Sequence, residues 1–234
     1  MSDGSRTVLI TGAAGHLGRE VAAAFSRQGA RLALLGRSAE SLRKAFGEED
    51  ASRGFFAADL RDAAACKVAV EAAQARFGRI DALCNIAGGF TMGEAVHETS
   101  DATWDAMLDL NARSVLNMAR AVVPVMLSQG RGAIVSVAAG AALKAGAQMG
   151  AYSASKSVVV RLTESMSAEL RERGINVNCV LPSVIDTADN RAAMPGADAS
   201  RWVAPADLAA VIAFLASDAA RAVHGAALPV NGLV

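Results

Sequence analysis

Short apolar runs alternate with helical patterns along this chain, and that alternation constrains the possible fold more than any other feature of the sequence. Each run is rich in apolar or β-branched residues, as a strand buried on both faces of a sheet should be. The seven runs cover residues 7–11, 31–35, 54–58, 80–86, 133–137, 175–181 and 226–230. Helical patterns fall between them, near residues 16–28, 39–46, 62–77, 101–128, 152–173 and 205–217. Because such alternation builds parallel sheets with helices on both faces, we predict an α/β fold with a doubly wound, seven-stranded parallel sheet.

The composition is that of one packed domain with balanced charge. The 234 residues include 23 basic and 23 acidic side chains, and 53% of the residues are hydrophobic. This balance gives no reason to expect nucleic acid or an anionic membrane as a partner, and no apolar run is long enough to span a bilayer. We therefore predict a single domain over residues 1–234, without a signal peptide at its start, in the cytoplasm.

The cysteines indicate neither disulfides nor a metal. Cys66, Cys84 and Cys179 are odd in number and lack the spacing of a metal site. Small buried thiols in a reducing compartment are the expected result, and no metal ligand is predicted.

A glycine-rich turn follows the first predicted strand and opens the first helix. Its sequence is Thr11-Gly12-Ala13-Ala14-Gly15-His16-Leu17-Gly18. Glycines allow a tight turn and close approach of a pyrophosphate, while the helix N-terminus offers free N–H groups and a positive dipole. The turn, including His16 and Leu17, is therefore a candidate dinucleotide site, although a glycine-rich turn without a ligand is the alternative.

The ends of the next strands bear on the choice of cofactor. The second strand ends at Gly36-Arg37-Ser38, where a carboxylate would favour NAD by binding the ribose 2′-OH. Arg37 can instead bind the 2′-phosphate of NADP, so NADP(H) is predicted over NAD(H), with a solvated Arg37 as the alternative. Asp59 is placed either beside the adenine or as the cap of the following helix.

Tyr152 and Lys156 are four residues apart on a predicted helix and therefore share one face. A cation near a phenol favours the ionised phenol, so we expect Lys156 to lower the pKa of Tyr152 and make it usable for proton transfer. The pair is weak evidence alone and gains its weight from the nucleotide-binding features upstream.

Together these residues resemble the short-chain dehydrogenase/reductase family over essentially the whole chain. The shared features are the glycine turn, Asp59, Asn85-Ile86-Ala87-Gly88, Asn111, Tyr152 with Lys156, and Leu181-Pro182 with Thr187. The resemblance implies a Rossmann-type domain that transfers a hydride between a nicotinamide ring and a carbonyl, imine or alcohol carbon of a small molecule.

The resemblance also implies roles for individual residues. Tyr152 would be the general acid, Lys156 would hold the nicotinamide ribose and lower the pKa of the phenol, and Asn111 would fix a water of the proton relay. The alternative for Asn111 is a buried helical Asn bonded to backbone. Further cofactor contacts are implied at Leu60, Asn85, Ala87, Gly88, Pro182, Val184, Ile185 and Thr187.

The chain departs from the family pattern at three places. Gly15 stands one position early, with His16 in the middle position, where it is either a phosphate contact or an exposed loop side chain. Ser183 follows Pro182 where a glycine is usual. Most members also carry a serine that donates to the substrate oxygen thirteen residues before the tyrosine, and here that residue is Ala139. Ser136 cannot replace it, because three positions along a strand turn the side chain to the opposite face.

Loss of one such donor costs about 3–4 kcal/mol of transition-state stabilisation, which an activated acceptor would tolerate better than a simple ketone. One branch of the family, the quinonoid dihydropteridine reductases, also lacks the serine and resembles this chain around residues 87–90 and 181–202. That branch favours an acidic residue after the second strand, which is not found here. A dihydropteridine reductase-like activity is therefore one alternative.

Three further questions stay open at the level of sequence. The main hypothesis is an NAD(P)(H)-dependent oxidoreductase acting on a carbonyl or an activated imine or quinonoid substrate, and the alternative is a non-catalytic dinucleotide-binding redox sensor. The substrate loop is placed near residues 187–204, where Trp202 and Met194 either form a lid with Met149 or fill the core. The resemblance implies a homodimer or homotetramer built on the helices 101–128 and 152–173, with Val158, Leu162, Met166 and Leu170 near the interface.

Overall fold

The computed structural model describes residues 6–234 and has a seven-stranded parallel sheet at its centre, with strand order β3-β2-β1-β4-β5-β6-β7. The strands are β1 Thr7–Thr11, β2 Arg31–Gly36, β3 Arg53–Ala57, β4 Ala82–Asn85, β5 Gly132–Val137, β6 Ile175–Pro182 and β7 Ala227–Val230. The predicted α/β fold and all seven strands are confirmed. The first five residues, which the predicted domain includes, lie outside the described residues.

Side chains alternate along each strand and so build a core on both faces of the sheet. In β1, Val8 and Ile10 pack on one face, beneath the helices α1 (His16–Arg27) and α8 (Pro205–Leu215). Leu9 points to the other face, beneath α3 (Ala63–Phe77) and α5 (Ser114–Gln129). Both faces are covered, which explains why the strands consist mainly of apolar residues.

The remaining helices are α2 Ala39–Phe46, α4 Asp101–Leu108, α6 Gly150–Leu170 and α7 Ala188–Ala193. The predicted helix over 101–128 is interrupted by a π-helical turn at Asp109–Arg113, between α4 and α5. The short helix α7 was not predicted and lies in the segment assigned to an irregular loop. Among the helices of residues 6–234, none is long and apolar enough to cross a membrane.

The direction of chain progression across the sheet reverses between β1 and β4. From β1 the chain moves outward to β2 and β3, then returns to place β4 on the other side of β1. In sheets of this kind ligands bind in the crevice beyond the carboxyl ends of the strands at this reversal. The topology thus places the ends of β1, β4 and β5 around one candidate site.

Candidate active site

The candidate site is organised around Thr11, the last residue of β1. Thr11 lies beside Asn85 at the end of β4. Its buried hydroxyl accepts hydrogen bonds from the backbone N–H groups of Ile86 (3.1 Å) and Ala87 (3.2 Å). Thr11 therefore fixes the segment after β4 against the glycine turn. Sequence reasoning missed this role, although a threonine directly before the first glycine was a visible signal.

Each of the three glycines of the turn is needed for a different structural reason. Gly12 has a φ of +63°, and a Cβ there would lie 2.8 Å from the Cα of Ala87. A Cβ on Gly18 would lie 2.7 Å from the carbonyl oxygen of Ala13. Gly15 precedes α1 as its N-cap, and its Cβ would meet only the Gly12 carbonyl, at 3.3 Å. Gly12 and Gly18 thus allow the turn to pack, while Gly15 keeps the helix N-terminus open to a ligand.

His16 and Leu17 begin α1 and lie in different environments. The Leu17 side chain is buried in the core, so only its backbone is placed to contact a cofactor. His16 is exposed, as one of its two interpretations expects. Its Nδ1 lies 3.8 Å from Oδ2 of Asp189 in α7, a proximity to the predicted substrate loop that was not predicted.

Arg37 directly follows β2, and Asp59 lies two residues after the end of β3. Arg37 is exposed. The Asp59 carboxylate accepts hydrogen bonds from the guanidinium (2.7 Å) and the backbone N–H (2.9 Å) of Arg61, which together hold the pKa of Asp59 at about 2. The alternative that Asp59 caps the next helix is wrong, because Asp62 is the N-cap of α3 and accepts from the Ala64 N–H at 2.8 Å.

Other predicted cofactor contacts follow the same carboxyl edge. The Leu60 carbonyl accepts a hydrogen bond from the Asn117 amide at 3.0 Å. Pro182 is the last residue of β6, and the half-buried Val184 and Ile185 follow it. The Thr187 hydroxyl accepts from the Asn190 N–H at 3.2 Å and so caps α7.

Gly88 is enclosed by the two polar side chains of the predicted relay. A Cβ at Gly88 would lie 2.8 Å from Oδ1 of Asn111 and 3.0 Å from Nζ of Lys156. Any larger residue would displace one of them. The structure therefore brings together Asn85-Ile86-Ala87-Gly88, Asn111 and Lys156, which are far apart in sequence.

The Asn111 side chain is fully engaged with protein groups. It is buried within the π-helical turn, its Oδ1 accepts from the Gly89 N–H (2.9 Å), and its Nδ2 donates to the Gly89 carbonyl (3.0 Å) and to Oγ of Ser155 (3.0 Å). Both amide hydrogens thus have acceptors, which matches the alternative of a buried Asn bonded to backbone. A water of the relay would have to use another group, and π-helical turns often occur at functional positions because they rearrange backbone carbonyls.

Tyr152 and Lys156 share a face of α6, but burial dominates their titration. Burial raises the pKa of the Tyr152 phenol to about 12 and lowers the pKa of the Lys156 ammonium to about 8. Lys156 is almost inaccessible and donates to the Val137 carbonyl at 2.9 Å. The predicted lowering of the pKa of Tyr152 by Lys156 is therefore wrong in this structure, because desolvation outweighs the effect of the cation. A phenol with this pKa stays protonated at neutral pH.

The pKa of Lys156 predicts how stability depends on pH. Its pKa falls from 10.5 to about 8 on folding, so between these values the unfolded chain binds more protons and stability rises with pH. Relative to Lys156→Met, the parent should gain about 2–3 kcal/mol of unfolding free energy between pH 7 and pH 10.5. Urea unfolding of both proteins across this range measures the difference. A difference that does not change with pH would contradict the buried-ammonium assignment.

Ala139 occupies the position of the absent serine. It follows β5, has an extended backbone (φ −165°, ψ 157°) and is buried. Ser136 lies three positions earlier within β5, where its buried Oγ accepts from the Asn85 amide at 3.2 Å. Ser136 is therefore committed to the sheet interior, which agrees with the prediction that it cannot replace the missing hydroxyl.

The loop at 187–204 is more ordered than predicted. It contains α7 and a single 3₁₀ turn at Ala199–Arg201, and Ile185 pairs with Val203 across its base. Trp202 is buried, so the expectation that it forms a lid is wrong, whereas Met149 and Met194 are partly exposed.

Comparisons with known proteins agree on one family. The family model described as short chain dehydrogenase matches residues 6–197. D-threitol dehydrogenase of Mycolicibacterium smegmatis is 38% identical, over 97% of this chain and 92% of that protein. The solved structure of levodione reductase is 30% identical, with a TM-score of 0.90 over 97% of this chain and 96% of that one. The structure of 3-ketoacyl-(acyl-carrier-protein) reductase from Brucella melitensis complexed with NADH is 28% identical, with a TM-score of 0.86 over 97% of each chain.

Proposed function

The chain belongs to the short-chain dehydrogenase/reductase family, an NAD(P)-dependent oxidoreductase family, and from this membership we propose that it reduces an activated carbonyl or imine substrate with Tyr152 as proton donor. The observation that carries the proposal is the position of Lys156, which shares a face of α6 with Tyr152 and donates to the Val137 carbonyl at the end of β5. Its ammonium lies beside Gly88, in the segment that packs against the glycine turn. The proton donor is retained and the usual second donor to the substrate oxygen is absent.

The residues present fit a nicotinamide dinucleotide. Gly15 leaves the N-terminus of α1 open, and the Oδ1 of Asn85 is buried without a hydrogen-bond partner among the described residues. When bound, the dinucleotide supplies a hydride. The N-terminus of α1 would hold its pyrophosphate, and Lys156, whose ammonium is buried next to Gly88, would hold the nicotinamide ribose.

Tyr152 supplies the proton in this proposal. The raised pKa of the phenol keeps it protonated at neutral pH, so it can donate to the substrate oxygen or nitrogen as negative charge develops there. In the balanced reaction a hydride adds to the substrate carbon, the proton of Tyr152 adds to the heteroatom, and solvent restores the phenol proton.

The alanine at position 139 limits the substrates. Without a serine hydroxyl, Tyr152 is the one side-chain donor that we assign to the substrate heteroatom. One oxyanion donor is worth about 3–4 kcal/mol, and an electrophilic acceptor such as an α-diketone, a quinone or a quinonoid imine depends less on it. A quinonoid dihydropterin is a narrower candidate within this class.

A non-catalytic redox sensor is the second candidate, and the missing hydroxyl is the observation that favours it. Against it stands the retention of Tyr152 and Lys156, because cofactor binding alone does not require a protonated phenol at the site. NADPH oxidation by the purified protein with a simple ketone, an α-diketone, a quinone and a quinonoid dihydropterin separates the two. Turnover confined to the last three supports the reductase, whereas tight NADPH binding with no turnover supports the sensor.

We propose that NADPH is preferred over NADH. The relative from Brucella melitensis was solved with NADH, so the fold itself does not decide the question. The support comes from Arg37, which is exposed at the end of β2 beside the N-cap of α2, where no acidic residue follows the strand.

Replacing Arg37 with alanine should remove this preference. A hydrogen bond to a charged group is worth about 1.5–3 kcal/mol, so the dissociation constant of NADPH should rise about 10- to 100-fold while that of NADH changes less than about twofold. Fluorescence titration of both cofactors measures this. Arg43→Ala, an exposed arginine of α2 that lies 3.8 Å from Glu48, is the matched control and should leave both constants unchanged. An unchanged NADPH preference in Arg37→Ala would remove Arg37 from the site.

We propose a homodimer or homotetramer that uses the surface of α5 and α6. An apolar groove of about 300 Å³ lies between these helices and is lined by Leu116, Val123, Leu162 and Met166, among others. Val158 is partly exposed, which suits an interface, but Leu170 is buried in the core of its own subunit.

The three free, buried cysteines support the further proposal of a reducing, cytoplasmic location.

A further inference from the structure

Phe90 is a large apolar ring left exposed beside the proposed proton donor. It is 56% exposed, and its ring centroid lies 4.9 Å from that of Tyr152 at an interplanar angle of 85°. This edge-to-face geometry is a favourable aromatic arrangement. Part of the ring therefore contacts Tyr152 while the rest is open to a ligand.

The segment that carries Phe90 is fixed on both sides. On one side, Gly89 exchanges two hydrogen bonds with the Asn111 amide, at 2.9 Å and 3.0 Å. On the other side, the Gly93 N–H donates to the Gln148 carbonyl at 3.0 Å, just before α6 begins. The exposure of Phe90 is thus a property of a fixed segment that is attached to the same helix as Tyr152.

Gly89 allows this segment to lie close to the π-helical turn. A Cβ at Gly89 would overlap the side chain of Leu110. A larger residue would force the Leu110 side chain to move. The two consecutive glycines before Phe90 therefore serve different contacts, since Gly88 faces Asn111 and Lys156.

We propose that Phe90 determines substrate specificity by stacking a planar, conjugated carbonyl or imine substrate beside Tyr152. The inference rests on the proposed function and narrows its substrate class. The Phe90 ring beside the phenol is apolar and offers no hydrogen bond, and position 139 carries a methyl group in place of a hydroxyl. Aromatic surface is the feature that such a site can recognise, and an aromatic pair changes affinity by about 2- to 12-fold beyond its buried area.

The test compares Phe90→Leu, which keeps apolar volume and loses the ring, with Phe90→Tyr, which keeps the ring. Calorimetry with the NADP⁺-loaded protein measures binding of menadione, a planar quinone, and of 2,3-butanedione, an activated but non-aromatic diketone. We expect menadione to bind about 3- to 10-fold more weakly to Phe90→Leu than to the parent or to Phe90→Tyr. Binding of 2,3-butanedione should be the same in all three within about twofold.

Several outcomes would overturn the proposal. They are equal menadione binding by the parent and Phe90→Leu, an equal loss for both ligands, or no menadione binding by the parent. Because binding is measured without turnover, a protein that binds as expected but oxidises no NADPH would refute the reductase function and leave the role of Phe90 standing. In a protein that does turn over, the same change should appear in KM for menadione with kcat nearly unchanged.

Discussion

Tyr152→Phe should lower kcat/KM for every accepted substrate by about 10²- to 10⁴-fold, the usual contribution of a positioned general acid. The substitution removes only the hydroxyl, since a phenylalanine ring can keep the edge-to-face contact with Phe90. Lys156 keeps its hydrogen bond to the Val137 carbonyl, so the cofactor side of the site is unchanged. The chain contains a single tyrosine, so no other phenol can substitute for it.

The control for this variant is cofactor affinity. NADPH should bind to Tyr152→Phe within about threefold of the parent, because the glycine turn and Lys156 are intact. Steady-state NADPH oxidation and fluorescence titration measure the two properties separately. A variant that reduces every accepted substrate as fast as the parent would show that the proton comes from elsewhere.

Ala139→Ser should open the protein to ordinary ketones. The new hydroxyl would stand on a buried, extended residue two positions after the end of β5, where the family usually places its serine. One additional donor to the developing oxyanion is worth about 3–4 kcal/mol, so kcat/KM for a simple ketone such as cyclohexanone should rise by about 10²-fold or more. A quinone or α-diketone should gain much less, because its reduction depends less on that donor.

Ala139→Cys is the matched control for this gain. A thiol adds similar bulk but is a weak donor, so it should leave ketone reduction near the level of the parent. NADPH affinity should be unchanged in both variants. Equal rates for the serine and cysteine variants would mean that the missing hydroxyl does not limit the substrate range.

The sheet was predictable because its five inner strands are buried almost throughout and therefore appear in the sequence as apolar runs. The predicted run at 80–86 and the observed β4 (Ala82–Asn85) differ by two residues at the start, and the other strand ends differ by one residue at most. The π-helical turn at Asp109–Arg113 had no sequence signal, since helical periodicity continues through it. The helix α7 was missed because Pro195 and Gly196 interrupt the helical pattern and indicate an irregular loop. Thr187, however, is an ordinary N-cap residue.

The sequence predicted which residues form the candidate site better than it predicted their pKa values. Tyr152, Lys156 and Asn111 were identified from spacing and resemblance, and the fold brings Asn111 and Lys156 together around Gly88. The predicted direction of the pKa shift of Tyr152 was wrong, because the burial of a side chain depends on segments that are distant in sequence. The same limit hid the contact of Phe90 with Tyr152, which depends on hydrogen bonds from Asn111.

The most direct measurement is kcat/KM of the parent protein for 2,3-butanedione and 2-butanone, which differ by one activating carbonyl group. NADPH oxidation followed under identical conditions gives both values. We expect kcat/KM of the parent to be far higher for the diketone than for the ketone. In Ala139→Ser the ratio of these two values should be much smaller. Equal reduction of both ketones by the parent, or a ratio that the serine does not change, would contradict the claim that this site is specialised for activated substrates.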